Sequence, residues 1–288
     1  MLNVGLHVSI AGKIYDSIDR AVSLGCSTMQ IFSRNPRQWR KKILEDKDIK
    51  LFKEKREKAK IKPLVVHVPY LLNLASQKKS FHQATIKEFI KDLVESDRLG
   101  ADFLVTHMGS HKNGTEQSGL SSVVEALTCI LEESEDVKTK ILLENTAGSG
   151  SWLGYNFSHF SFIFERINNP SRVQICLDTA HAWAAGYKIS QKKGLSQLIS
   201  EIDTEVGVSK LKLIHLNDTE VELGSRLDRH FHIGRGKIGE DGFRLILNHP
   251  KLRQLPFIME TPKKVKDDDR KNLEMAKNLF NDGVYKRN

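Results

Sequence analysis

Seven short apolar runs in this sequence carry, at or near their carboxyl ends, a residue able to bind a metal or move a proton: His7, His67, His107, Glu144, Asp178, His215 and Glu260. Asn35 stands just past the end of another run. Two local motifs add donors. Asp-Thr-Ala-His sets Asp178 three residues before His181, and Asp-Arg-His sets Asp228 two residues before His230, with His232 as a further imidazole in the same segment. A carboxylate and an imidazole at such spacings chelate one ion or serve two neighbouring ones. The donors are nitrogen and oxygen with no thiolate, the set expected of a catalytic zinc, manganese or iron site rather than a structural zinc. A lone histidine at a strand end is ordinarily a hydrogen-bonded core or rim residue. Convergence changes that reading, because clustered imidazoles and carboxylates are costly to bury unless cations neutralise and order them. His82, His111, His159 and His249 fall outside the runs and are assigned no role.

The elements that must bring these residues together are legible from the runs themselves. They span 3–9, 27–32, 63–68, 101–107, 140–145, 172–178, 210–216 and 256–261, each short and rich in aliphatic or β-branched residues. Between them lie longer stretches with helical spacing of apolar positions, enough for a loop, a helix and a return. Strands alternating with helices are parallel, because each crossover carries the chain back to the same edge. Eight such units predict an α/β fold, a closed (β/α)8 TIM barrel formed as a single domain over residues 1–288. An open Rossmann-type sheet is disfavoured, since no Gly-x-Gly-x-x-Gly follows the first run. Active sites of such barrels lie at the carboxyl ends of the strands, where the metal-ligand types fall.

Composition narrows the partner. Hydrophobic residues make up 39% of the chain, enough for a large core, and no low-complexity run interrupts them. Lysine plus arginine outnumber aspartate plus glutamate by 45 to 36, and the formal charge of +9 suits a polyanion. Much of that excess lies between Arg34 and Lys62, where a solvated lysine-rich helix is the simpler explanation after Lys41. Cys26, Cys129 and Cys176 are too far apart for a disulfide framework or a zinc knuckle and are read as small buried residues. No run reaches the roughly 20 apolar residues of a membrane span, and the first residues lack a secretory pattern. An intracellular protein without a membrane partner is expected.

Taken together, HVPYLLNLA at 67–75, VTHMGSH at 105–111, LLENTAG at 142–148, LDTAHAWAAGY at 177–187, HLNDT at 215–219, DRHFHIGRGKIG at 228–239 and METP at 259–262 resemble the endonuclease IV family. The resemblance covers nearly the whole chain and departs at Val68, Pro69 and Arg235, none of them an implied ligand. It implies three zinc ions per chain, with Mn2+ or Fe2+ as occupants of some sites: His67, His107 and Glu144 on the first, Glu144, Asp178, His215 and Glu260 on the second, and His181, Asp228 and His230 on the third. Glu144 and Glu260 are the implied catalytic carboxylates, and His232 becomes a neighbour. The implied reaction is hydrolysis of the phosphodiester bond 5′ of an abasic site in double-stranded DNA, leaving 3′-hydroxyl and 5′-deoxyribose phosphate ends, with 3′ blocking groups as further substrates. Asn35, Arg37, Gln38, Tyr70 and Leu71 are the implied DNA-contacting residues, on the loops after the second and third strands. A monomer in the cytoplasm or nucleoid is expected. A metal-dependent sugar isomerase or epimerase of similar barrel fold is the alternative, and a non-catalytic DNA-binding protein a third reading. His181, Asp228 and His230, together with the Arg37 and Tyr70 loops, favour the nuclease.

Overall fold

The computed structural model describes residues 1–34 and 44–281. Eight strands, β1 (Val4–His7), β2 (Thr28–Phe32), β3 (Leu64–His67), β4 (Phe103–His107), β5 (Lys140–Glu144), β6 (Val173–Asp178), β7 (Leu211–His215) and β8 (Phe257–Met259), pair in parallel and in chain order. The barrel closes where Val4 of β1 lies opposite Phe257 of β8. Around it run helices α1 (Asp16–Leu24), α2 (Asp46–Ala59), α3 (Lys79–Arg98), α4 (Glu116–Glu132), α5 (Ser158–Phe164), α6 (Thr179–Ala185), α7 (Lys192–Val206), α8 (Gly239–Asn248) and α9 (Asp268–Leu279). This is the TIM barrel expected from the alternating runs. None of the described helices is long and apolar enough to cross a membrane.

Strand alternation sorts each run into an outer and an inner set. Leu64 and Val66, Ile141 and Leu143, and Phe257 and Met259 belong to the large core between strands and helices. Val65, Val105, Leu142, Cys176, Leu213 and Ile258 form a separate, fully buried plug inside the barrel. Because side chains alternate with a period of two, the residue two positions past each plug member also points inward, one layer closer to the mouth. Those residues are His67, His107, Glu144, Asp178, His215 and Glu260. Thus the pattern that builds an apolar floor also places a ring of donors above it. Full burial of a Val, Leu or Ile contributes about 1.5–3 kcal/mol, so the floor is strongly held.

The seam between β1 and β2 is unusually close. A Cβ at Gly5 would fall 1.8 Å from the Thr28 carbonyl oxygen, so only glycine lets these backbones approach. At the opposite side β6 runs directly into α6: Asp178 ends the strand and caps the helix, its Oδ1 accepting the His181 amide at 2.8 Å. The cap satisfies an otherwise unpaired helix N–H and fixes the Asp178–His181 spacing.

Candidate metal centre

Three overlapping groups of donors occupy the barrel mouth. In each, one atom from every member lies within 4.8 Å of the others: His67, His107 and Glu144; Glu144, Asp178, His215 and Glu260; and Asp178, His181 and His230. Glu144 belongs to two of these groups, and so does Asp178. The Glu144 carboxylate is almost fully buried and faces four imidazoles: Oε2 lies 3.3 Å from His67 Nε2 and 3.8 Å from His107 Nε2, and Oε1 lies 2.9 Å from His215 Nδ1 and 3.4 Å from His181 Nδ1. Asp228 stands at the edge, with Oδ1 3.3 Å from His181 Nε2 and 3.5 Å from His230 Nε2 and a side chain 57% exposed. It joins none of the three compact groups.

Backbone carbonyls orient the imidazoles. His67 Nδ1 donates to the Val68 carbonyl at 2.7 Å, and His181 Nδ1 to that of Asn145 at 2.9 Å, which turns each Nε2 toward a carboxylate. His230 Nδ1 lies 3.2 Å from the Glu260 carbonyl, aiming its Nε2 between Asp178 and Asp228. A hydrogen-bonded second nitrogen fixes which ring atom remains for a metal. Buried though it is, that His230 Nε2 has no hydrogen-bond partner among the described residues, and a cation between the two carboxylates would supply one. The all-nitrogen and oxygen donor set fits divalent zinc, manganese or iron.

The charges agree with this fit. Burial alone would raise the Glu144 pKa, but His215, His107 and His181 pull it well below the usual carboxylate range. Burial opposes ionisation of Glu260 too, and is overcome by His215 and His7. For His181 burial favours the neutral ring, yet Asp178, Asp228 and Glu144 together hold its pKa well above 6.5. His107 is the contrast, its pKa driven down to about 4 chiefly by burial. Anionic carboxylates that already hold protons on neighbouring imidazoles attract divalent cations more strongly still, at the cost of releasing those protons.

Several supporting residues have no distinctive sequence signature. Asn217 Nδ2 donates to Asp178 Oδ2 at 2.6 Å, while its Oδ1 accepts the Glu260 amide at 2.7 Å, tying β6, β7 and β8 together at the mouth. Asn145 exchanges hydrogen bonds with the Asp178 backbone. Asp218 is buried and accepts the amides of Thr219 and Gly236 at 2.8 Å and of Ile238 at 3.0 Å. Its backbone bridges Phe231, so the loop carrying Asp228 and His230 is clamped to β7. Gly236 is obligatory there, because a Cβ would meet the Thr219 carbonyl oxygen at 2.3 Å. Membership of the HLND block is the only sequence signal that could have pointed to Asn217 or Asp218.

Tyr70 projects from the loop after β3, 62% exposed, with its ring edge-on to Phe32 at 5.4 Å. On one side lies a cavity of about 280 Å³ bounded by Tyr70, His107, Trp152, His181 and Asp228. On the other is a recess of about 420 Å³ reaching His7, His230, Glu260 and Lys263. Leu71 is half-buried beside Tyr70. Asn35, Arg37 and Gln38 lie outside the described residues. His232 accepts from Asn272 and stays out of the donor groups. His82, His111, His159 and His249 each hydrogen-bond backbone atoms and belong to none of the donor groups.

The chain matches the family model described as a xylose isomerase-like TIM barrel over residues 18–279. It is 40% identical over 262 residues to a probable endonuclease 4 of Halothermothrix orenii, covering 91% of this chain and 94% of that one. It is 41% identical over 280 residues to a probable endonuclease 4 of Chloroflexus aurantiacus, covering 97% and 98%. The crystal structure of endonuclease IV from Thermus thermophilus superposes with a TM-score of 0.84 at 32% identity, covering 96% of this chain and 98% of that one.

Proposed function

The chain belongs to the endonuclease IV family of nucleases, and from that premise we propose that it hydrolyses the phosphodiester bond 5′ of abasic sites in double-stranded DNA, using three zinc ions. The products are a 3′-hydroxyl and a 5′-deoxyribose phosphate, and 3′ blocking groups are removed by the same centre. It works as a monomer in the cytoplasm, at the nucleoid. The observation that carries this reading is the overlap of three donor groups at one barrel mouth through shared Glu144 and Asp178.

In this reading His67, His107 and Glu144 hold one ion, Glu144, Asp178, His215 and Glu260 a second, and His181, Asp228 and His230 a third, with Mn2+ or Fe2+ able to take some of the places. When bound, such ions activate water for attack on phosphorus and neutralise charge on the phosphate and leaving oxygens. The protein's own residues fix where this happens. Glu144 and Glu260, anionic and held among imidazoles, keep the donors at a spacing no flexible loop would maintain. Tyr70 stands between two recesses, the position of a wedge that separates an extruded nucleotide from the duplex. An abasic nucleotide has no base to unstack, so extruding it costs less than extruding a normal one. Leu71 assists the wedge, and Asn35, Arg37 and Gln38 contact the DNA.

Incubating the metal-loaded protein with a duplex carrying one abasic site, with and without a chelator, tests the reading. Chelator-sensitive incision on the 5′ side leaving a 3′-hydroxyl is expected. Incision on the 3′ side, or none, overturns it.

A further inference from the structure

Gln30, at the centre of β2, is fully buried and points into the barrel mouth beside the donor groups without belonging to any of them. Its amide reaches three site residues from three other strands or strand ends. Nε2 lies 2.6 Å from Glu260 Oε1 and 2.9 Å from His7 Nδ1, and Oε1 lies 2.8 Å from His215 Nε2. We propose that Gln30 is a positioning residue that selects the ring nitrogen His215 presents to the metal centre and the carboxylate oxygen Glu260 leaves for it. The inference rests on reading Glu144, Asp178, His215 and Glu260 as a metal site.

The amide has only one workable orientation. Turned over, its carbonyl oxygen would face a Glu260 carboxylate oxygen at 2.6 Å, two acceptors with no proton between them. Oε1 therefore faces His215, and the group that meets it must be Nε2–H. His215 Nδ1, 2.9 Å from Glu144 Oε1 and 3.3 Å from Glu260 Oε2 within the donor group, is then the ring nitrogen left to exchange its proton for a metal. On Glu260, Oε1 is engaged by Gln30 and lies 3.0 Å from His7 Nδ1, so Oε2 is the oxygen left facing that group. Both amide hydrogens and the carbonyl of Gln30 have partners when His7 Nδ1 accepts from Gln30 Nε2, the tautomer that puts the His7 proton on Nε2. A side chain that only filled space would be replaceable there by leucine.

Two variants separate these roles. Gln30→Leu keeps the bulk and removes both hydrogen-bonding ends; Gln30→Glu keeps an acceptor for His215 Nε2–H but sets a carboxylate against Glu260. The readouts are zinc stoichiometry, zinc affinity by chelator competition, and the ring ¹⁵N signals of His215 in the zinc-loaded protein. Wild type should bind three zinc ions with His215 protonated at Nε2. Gln30→Leu should lose the single Nε2–H signal and bind one zinc about 10–100-fold more weakly. Gln30→Glu should recover the ring signal while its affinity for that zinc stays low. If Gln30→Leu does not fold, Gln30→Glu decides alone, and wild-type zinc affinity in it overturns the inference. Wild-type affinity and ring signals in Gln30→Leu overturn it equally. Fewer than three zinc ions in the wild type would instead overturn the functional reading on which it rests.

Discussion

The donors at the mouth are held in two different ways. Glu144, His215 and His67 sit on strands, two residues above the apolar plug, and are 3% exposed or less. Asp228 and His230 sit on a long loop, and Asp228 is 57% exposed. Strand-borne donors inherit their positions from the pleat and the close-packed floor, which would have to deform before they could move. Loop-borne donors depend on a local clamp, here the Asp218 carboxylate with its ring of backbone amides. One barrel rim therefore contains a part whose geometry is determined by the fold and a part whose geometry is determined by a few hydrogen bonds.

Breaking the strand-borne part should have the largest effect. Glu144→Gln leaves the shape but removes the charge shared by two donor groups, so zinc content should fall by more than one ion. Loss of several kcal/mol of charge stabilisation corresponds to a decrease in turnover on the order of 10³-fold or more. Elemental analysis beside single-turnover incision checks this, and a variant that keeps full zinc content contradicts the sharing of Glu144.

Attacking the clamp sharpens the contrast. Asp218→Asn turns one acceptor into a donor among amide donors, and leaving such groups unpaired in a buried site costs about 1–3 kcal/mol. Only the zinc assigned to His181, Asp228 and His230 should leave, with turnover reduced about 10–100-fold. Thermal denaturation with zinc counting distinguishes this from general unfolding; loss of all the zinc at once would show that the two parts of the rim are not independent.

The smallest effect is expected where neither part is touched. Tyr70→Ala should retain every zinc ion and lose about tenfold in affinity for abasic duplex, the scale of one lost aromatic contact to nucleic acid. Because Tyr70 carries no charge, the salt dependence of binding should not change. Fluorescence titrations at several salt concentrations test both, and unchanged affinity would mean that the ring only packs against Phe32.

This division also explains what could be read from the sequence. The strand-borne donors are legible because each stands at the carboxyl end of a short apolar run; the fold adds that each lies two residues past an inward apolar one. Gln30 was not legible, since a lone glutamine in STMQIF looks like an ordinary strand residue until β1, β7 and β8 are folded around it. Asp218 escaped for a similar reason, as its main partners Gly236 and Ile238 lie 18 and 20 residues on and are backbone groups. Asp178 and His181 could be paired from spacing alone, but only the cap at the start of α6 shows why that spacing holds.

The closure of the barrel between β1 and β8 has a consequence for biosynthesis. His7 of β1 and Glu260, just past β8, are 253 residues apart in the chain, yet they meet at 3.0 Å across the seam. A nascent chain that has not yet released β8 from the ribosome has two open sheet edges, at β1 and β7, and lacks the Glu260 carboxylate. The donor groups are completed only when β8 joins the barrel, so a nascent chain still lacking that strand lacks part of the proposed metal centre.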